Sequence, residues 1–414
     1  MKTEKSVSTF KAFGNRNFAL FFAGQSVSQI GTWMQRTAVS WVIYSMTHSA
    51  YMLGVSIFAQ QFPSFILSLP GGVVADRYSR RKILLITQSA SMIQAIILAL
   101  LILANHYVIW EILALSVVLG SINAFDVPAR QPMIHEMVNN KEDLPNALAL
   151  NSAMVNIARL LGPALSGMVL QAFGAGICFS LNALSFIAVI ISLLLMKLPQ
   201  FAPAAVKKKV GQELSEGFKY LKNTPEISII MLLMVCMSLF ILPYDTMMPV
   251  FAKVIFKGNA ATFGYISSFV GLGAILGSLL MASVKGVGKL KKILLMSIVL
   301  LGIGLILFSR ISSFPFAMPF AVMIGFGSLM PMTASITIIQ MESAANMRGR
   351  VMSYIAMAYF GMLPIGSLLV GFISQKISVP LTMFIQGIMA IGVAAAFSKI
   401  LGSKEKEVPL ASPI

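Results

Sequence analysis

Charge is scarce in this sequence. Only 11% of the 414 residues are Asp, Glu, Lys or Arg, and the acids number 14, whereas a soluble domain carries about 25% charge. A water-soluble enzyme of this length is thereby excluded, because too few charged groups exist to solvate its surface. Cysteine is nearly missing too: Cys178 and Cys236 both lie inside apolar runs, which leaves no disulfide framework and no thiolate spacing for a metal. The three histidines, His48, His106 and His135, are scattered, and no His, Cys or carboxylate cluster stands at catalytic spacing. The string Gly271-Leu272-Gly273-Ala274-Ile275-Leu276-Gly277 sits inside an apolar run with no strand before it. That excludes a dinucleotide loop and points to close helix packing through Gly273 and Gly277. The expectation is no enzyme, no cofactor and no metal site.

What is abundant is apolar, at 57% of residues. A ~30 Å hydrocarbon core takes ~20 residues per helical crossing. Apolar runs fall at 18–44, 50–75, 83–104, 107–128, 146–172, 176–198, 227–253, 260–284, 293–310, 315–339, 351–375 and 379–401. These predict an all-α membrane protein with twelve transmembrane helices. The first run is too long for a signal-peptide core and lacks a small-x-small cleavage pattern, so it should remain as a span. The 28 methionines and 28 phenylalanines fill core and lipid faces, and could also line a soft cavity tolerant of bulky ligands.

The net charge of +17 reads as topology rather than as affinity for nucleic acid. With both termini inside, the inner segments hold 25 lysines and arginines. The outer turns hold only Lys253, Lys257, Arg310 and Lys376, while Arg36 and Arg159 lie within spans. This asymmetry predicts a multi-pass protein with cytoplasmic termini in contact with the lipid bilayer and no nucleic-acid partner. The longest polar stretch divides the spans six and six. The expected organisation is a six-helix bundle over 1–198, a cytoplasmic linker over 199–226, a second six-helix bundle over 227–401 and a tail over 402–414. In the linker, Leu214, Phe218 and Leu221 recur among Glu213, Glu216, Lys219 and Lys222, the pattern of an amphipathic helix on the inner surface.

The halves resemble each other. Arg81-Lys82-Ile83-Leu84-Leu85 recurs as Lys291-Lys292-Ile293-Leu294-Leu295, and Gly162 and Gly167 recur as Gly366 and Gly371. Matching features thus stand at matching spans, as a duplicated transporter requires. An even number of spans per half makes the repeat parallel.

After the second span the sequence reads Gly72-Val73-Val74-Ala75-Asp76-Arg77-Tyr78-Ser79-Arg80-Arg81-Lys82. This resembles the signature that the major facilitator superfamily carries between its second and third helices, with Ser79 where the family's second glycine stands. Asn15-Arg16-Asn17-Phe18, Gly31-Thr32-Trp33-Met34-Gln35, Pro128-Ala129-Arg130, Asn146-Ala147-Leu148 and Pro243-Tyr244 with Pro249-Val250-Phe251-Ala252 are similar to the branch of enterobactin-exporter, secretion and macrolide-efflux proteins. The resemblance implies a fold of two pseudo-symmetric six-helix bundles in a bacterial-type inner membrane. It also implies a cytoplasmic gate formed by Gly72, Asp76, Arg77 and Arg80 with Asp126 at the inner end of span 4. Gly162-Pro163 to Gly167 in span 5 resembles the glycine-proline motif of the family's antiporters. Proline removes one helical hydrogen bond and glycine permits close approach, so this stretch can bend and seal against a neighbour. Span 4 lacks the mid-helix arginine of many proton-coupled exporters.

Charges inside spans are costly, about 2.5 to 3.5 kcal/mol at the bilayer centre, and should face protein or water. Arg36, Asp245 and Glu111 fall in the outer halves of their spans, and Arg36 is expected to pair with Asp245 or Glu111, as an outer gate or a proton-sensitive link. Gln25, Gln29, Trp33 and Arg36 share one face of span 1, and Asn156 and Arg159 one face of span 5. Tyr244 and Tyr354 come from spans 7 and 11. All of these are substrate-cavity candidates, with interhelical hydrogen bonding as the competing role. The resemblance implies export of an amphipathic small molecule, siderophore- or drug-like, by alternating access, with proton antiport and a monomeric protein. Uptake, lipid translocation by the same fold and a transport-inactive receptor or assembly subunit are the alternatives.

Overall fold

The computed structural model describes residues 10–198, 210–284, 286–344 and 347–405. Expectations on residues 1–9, on 199–209 and on 406–414 lie outside them, as do those on the side chains of Glu213 and Leu214.

Helices α1 (Arg16–Thr47), α2 (Ala50–Arg77), α3 (Arg80–Leu103) and α4 (Ile109–Met137) come first. The helix Leu144–Leu195 has 52 residues, ~78 Å at 1.5 Å per residue, twice what a bilayer needs. It breaks at Gly174, where φ is +81°, a conformation that glycine adopts without a Cβ clash. The two pieces, α5 over 144–173 and α6 over 175–195, are separate crossings. After α7 (Val210–Lys222) come α8 (Pro225–Ile255), α9 (Ala260–Ala282), α10 (Val287–Arg310), α11 (Phe314–Glu342), α12 (Arg348–Lys376) and α13 (Val379–Glu405). Ten described helices are long and apolar enough to cross a membrane. Counting α5 and α6 separately and adding α1 gives the expected twelve. The polar residues Gln25, Gln29, Gln35 and Arg36 keep α1 below that apolar threshold.

The chain forms two compact units. Unit 1 comprises 1–46, 59–205 and 259–268; unit 2 comprises 47–58, 206–258 and 269–414. Each unit therefore contains one short stretch from the other half of the sequence, and glycines explain how. In unit 1, Gly167 of α5 lies against Ala260 and Gly264 at the start of α9, where a Cβ at Gly167 would come within 2.7 Å of the Ala260 carbonyl oxygen and 3.1 Å of the Gly264 Cα. Ser268 donates to the Leu160 carbonyl at 2.6 Å, and Trp41 stacks on Phe263 at 6.2 Å. In unit 2, Gly371 of α12 lies against Gly54 at the start of α2, with 3.3 Å from the would-be Cβ to the Gly54 Cα. There the Gln375 amide oxygen accepts from the Ala50 N–H at 2.9 Å. Gly167 and Gly371 are the repeat-related glycines that the sequence singled out. Their partners Gly54 and Gly264 are themselves equivalent.

Unit 1 packs Phe18, Phe21, Leu84, Met133, Phe186 and Leu193 into one buried cluster. Across it runs a chain of amides. Asn182 donates to Gln35 at 2.7 Å, Gln35 to Gln94 at 3.0 Å, and Gln94 to the Leu115 carbonyl at 3.2 Å. Four helices are tied by groups that would each be costly if left unpaired in an apolar interior. At the C-terminus of α6, Arg81 donates to the Leu193 and Leu194 carbonyls at 2.7 and 2.8 Å, satisfying acceptors that the helix leaves open. In unit 2, α7 lies on the start of α12: Glu216 pairs with Arg350 at 2.8 Å, and the Tyr220 hydroxyl accepts from the Ala344 N–H at 3.1 Å. The face of α7 that packs on the protein is Gly217, Tyr220 and Leu221, while Phe218 is 62% exposed. Phe218 still touches Tyr354 at its edge, with ring centroids 6.4 Å apart.

Candidate functional site

The α2–α3 turn corrects part of the expected gate. Arg80 pairs with Glu136 at the end of α4 rather than with Asp126, and Lys291 pairs with Glu342 at 3.3 Å between the starts and ends of the corresponding helices of the second half. Asp126 lies deeper in α4, is 1% exposed, and is fully engaged: Thr87 donates at 2.9 Å, Gln88 at 2.7 Å, and Arg130 forms an ion pair one turn away. It binds α3 to α4. Asp76 and Arg77 are exposed at the end of α2, and among the described residues Asp76 forms no ion pair. Close packing falls to Gly71, the residue before the signature, whose position faces the Ala124 carbonyl of α4, whereas a Cβ at Gly72 would meet nothing within 4 Å. Gly71→Ala is accordingly expected to destabilise the protein by about 1–3 kcal/mol through overpacking, and Gly72→Ala to stay within about 0.5 kcal/mol. Thermal unfolding of the two variants separates them.

The asparagines near the N-terminus and after α4 also find a physical role. The turn Lys11–Gly14 is clipped to the α4–α5 connection: the Ala12 N–H donates to Asn146 at 3.0 Å, the Asn139 N–H to Asn15 at 3.0 Å, and Lys11 pairs with Asp143 at 2.8 Å. Asn17 reaches the backbone of Lys197 in both directions, at 2.8 and 3.1 Å. The hydrogen bond from Lys11 holds the Asp143 carboxyl below the ordinary carboxylate range, and the same contact raises Lys11. A depressed carboxylate stabilises the fold above its unfolded value and loses that contribution as pH falls through its folded value. A raised lysine loses its own as pH climbs past the ordinary ammonium range. The stabilisation from this clip is thus complete at neutral pH and lost on acidification below the carboxylate range. Lys11→Ala should remove the difference between neutral and acidic thermal midpoints that the wild-type pair contributes.

The substrate stripe narrows in the structure. Gln25 is 2% exposed and packed away, while Gln29, Trp33 and Arg36 of α1 and Asn156 and Arg159 of α5 are half-buried. The Gly162-Pro163 segment of α5 brings the helices together: a Cβ at Gly162 would lie 3.2 Å from the Ile30 carbonyl and collide with the Trp33 side chain. With the backbones so close, two guanidinium groups share one indole. Arg36 lies 5.3 Å and Arg159 5.7 Å from the Trp33 ring centroid. An aromatic face attracts cations by its quadrupole, but it does not neutralise them, and among the described residues Arg159 has no carboxylate within ion-pair distance. Arg159 is thus a half-buried guanidinium with no described acid beside it. Bidentate guanidinium geometry suits a carboxylate in particular.

The remaining candidates fall elsewhere. Glu111 accepts from the Val108 N–H at 3.0 Å and caps the start of α4 in place of the expected partnership with Arg36. Tyr244 is 3% exposed in the 3-10 stretch Leu242–Met247 of α8, on which Asp245 is exposed. Tyr354 is half-buried and packs under α7, with its ring 3.0 Å from where a Cβ of Gly217 would stand. The sequence reading missed Glu136 and the three amides Gln35, Gln94 and Asn182. The amides could have been found, since an amide inside an apolar run must have a partner.

The sequence model of the family described as "Transmembrane secretion effector" matches residues 7–411. The chain is 28% identical over 386 residues to the staphyloferrin A transporter of Staphylococcus aureus, a match spanning 91% of this chain and 94% of that protein. It is 27% identical over 263 residues to the enterobactin exporter EntS of Escherichia coli O1:K1 / APEC, spanning 63% of this chain and 62% of that one. Among solved structures, a variant of the nucleoside transporter NupG aligns with TM-score 0.75 at 12% identity over 93% of this chain and 99% of its own. A bacterial homologue of the human lysosomal transporter Spinster aligns with TM-score 0.71 at 14% identity over 92% and 96%.

Proposed function

We propose that this chain, which belongs to the transmembrane secretion effector family of major facilitator transporters, exports an anionic amphipathic small molecule of the siderophore class from the cytoplasm by alternating access. It is a transporter and not an enzyme, and its small-molecule cargo crosses within the membrane. The observation that carries the reading of the cargo is Arg159, whose guanidinium N–H groups lie half-buried over the Trp33 indole with no described acid beside them. A molecule that presents carboxylates or phenolates would exchange their hydration for these donors. Resemblance to a staphyloferrin A transporter over nearly the full chain, and to an enterobactin exporter over part of it, supports the siderophore class.

For the gating, we assign the closing and opening contacts to two sets of residues. The glycine crossings Gly54–Gly371 and Gly167–Gly264 close the side of the α1–α2 turn, with Pro163 as the bending point. Asp76, Arg77 and Arg80 close the opposite side in the other state, supported from behind by Asp126, Arg130 and Glu136. Asp245, exposed on the irregular stretch of α8, is the carboxylate we assign to proton exchange, because Glu111 is occupied as a helix cap.

The test is accumulation of iron-free siderophores in cells with and without the chain, with and without a proton uncoupler. Export predicts more cell-associated cargo on deletion and on uncoupling, whereas an importer gives less. Unchanged levels in every condition would remove the siderophore class. Asp245→Asn should abolish the uncoupler's effect while leaving downhill exchange intact.

A further inference from the structure

Helix α7 lies at the level where two crossings of unit 2 begin. Only Asn223 and Thr224 separate its end from α8, and its Tyr220 hydroxyl accepts from the Ala344 N–H just before α12. A Cβ at Gly217 would stand 3.2 Å from the Arg350 Cβ and 3.0 Å from the Tyr354 ring, so the middle of α7 runs beside the first two turns of α12. Arg348 and Arg350 open that crossing with charges that belong in the headgroup layer. Tyr354 stands six residues past Arg348, ~9 Å along the axis at 1.5 Å per residue. An amphipathic helix on a bilayer sinks its apolar groups about 5–10 Å into the boundary between headgroups and acyl chains. Phe218, whose ring lies 6.4 Å from that of Tyr354, reaches that range.

The contacts to α12 turn one arc of α7 outward. Glu216 pairs with Arg350 at 2.8 Å, while Gly217, Tyr220 and Leu221 pack inward. At 3.6 residues per turn, Phe218, Lys222, Ser215 and Lys219 fall within an arc of about 100°, and all four are exposed. Among the described residues neither lysine forms an ion pair. Glu226, one turn past Lys222, is half-buried in the first turn of α8. From 207 to 222 the sequence holds five lysines against two glutamates, and one of those glutamates is turned to Arg350. The exposed ring favours an apolar medium, and the lysines beside it can lay their stems along that medium with the ammonium groups reaching out. Such a face complements a surface that is negative outside and hydrocarbon just beneath. A basic cluster of this size on an amphipathic helix beside a crossing is the pattern that anionic phospholipids attract.

We propose that this arc of α7 is a docking surface for the anionic phospholipids of the bilayer, with Phe218 in the acyl boundary and Lys219 and Lys222 on the headgroup phosphates. The Glu216 and Tyr220 contacts hold the helix in the orientation that presents it.

The test uses the purified full-length chain carrying Cys178→Ser, Cys236→Ala and Ser215→Cys, labelled at position 215 with the fluorophore NBD. It is placed in nanodiscs of phosphatidylcholine, or of equal parts phosphatidylcholine and phosphatidylglycerol with matched acyl chains. Acrylamide, a neutral quencher, reads how far position 215 is open to water. Two lysines at an anionic surface shift docking by about 30-fold, so quenching should be at least about 3-fold weaker in the anionic discs than in the neutral ones. Lys219→Gln with Lys222→Gln should restore the stronger quenching in anionic discs, and so should molar salt, which screens exposed charges. Equal quenching in the two lipids, the result for a face covered by a protein partner, would overturn the proposal, as would protection that persists in the glutamine variant. Protection by soluble glycerol phosphate in neutral discs would also overturn it, by giving the lysines to free phosphate esters. Independently of the label, the wild-type chain should unfold at a higher temperature than Lys219→Gln with Lys222→Gln in anionic discs and at the same temperature in neutral ones. Equal midpoints in both lipids would equally sink the assignment.

Discussion

Arg159→Gln is expected to lower transport of the anionic cargo by at least about 30-fold while leaving the folded protein as stable as the wild type. Among the described residues Arg159 has no acid to lose. It is half-buried on α5, 5.7 Å from the Trp33 ring centroid, and no described acid pairs with it, so removing the charge strands no carboxylate. The usual penalty for breaking an ion pair in an interior is therefore missing. What is lost falls on the guest. Truncating one member of a desolvated charged contact costs about 2–5 kcal/mol, and 2 kcal/mol is already ~30-fold in affinity. Arg159→Lys should be intermediate, because it keeps the charge but loses the planar fork that meets a carboxylate with two parallel bonds. Initial rates in vesicles, measured with the cargo that the accumulation assay identifies, decide the matter. A wild-type rate for Arg159→Gln would remove the arginine from the binding site.

Asp126→Asn has the opposite profile, a loss of stability of about 2–3 kcal/mol. Asp126 accepts from Thr87, Gln88 and Arg130 at 1% exposure. The asparagine can keep only part of that pattern, and it leaves the Arg130 guanidinium without a countercharge. Removing one partner of a fully buried pair costs about 3–5 kcal/mol. The loss on Asp126→Asn stays at or just below the lower end of that range, because the Arg130 side chain retains 22% of its exposure and water can take up part of its charge. The discriminating measurement is a double-mutant cycle by thermal unfolding in detergent. Arg130→Gln on the Asp126→Asn background should recover at least half of the loss, since no unmatched charge then remains. If the double variant is as unstable as the sum of the singles, Asp126 and Arg130 do not act as a pair.

Much of this was legible in the sequence because a bilayer reads sequence in one dimension. Apolar runs placed the crossings, including the pair fused across Gly174, where only the turn residue 174 separates them. Internal offsets pointed to Gly167 and Gly371, and the structure gives both the same job, close approach to the start of another helix. The gate was only half legible. Asp126 stood as the gate's acid because the family resemblance implies one at the inner end of span 4, but α4 continues to Met137, and that extra length brings Glu136 to Arg80 instead. The matching Lys291–Glu342 pair was the available signal, since a repeat that preserves the basic end should preserve its acid. In α1 the polar stripe was visible but not its division. Which glutamine meets a neighbour and which meets the interior space depends on where Gly24 and Gly31 let α6 approach, at Ser192 and Ser185, and spacing alone does not contain that.

The Gln386 amide of α13 donates to the Phe240 and Ile241 carbonyls of α8 at 2.8 and 3.4 Å, where Met237–Ile241 is π-helical and Leu242–Met247 is 3-10, and this tie has a mechanical consequence. A helix whose freed carbonyls are held by water can anneal or unwind as solvent comes and goes. In this protein the acceptors are held by a side chain rooted in another crossing, so the kink is a fixed elbow. Any tilt of one strut must carry the other with it, and the joint that flexes during a transport cycle has to be sought at Pro163, Pro331 or the glycine contacts.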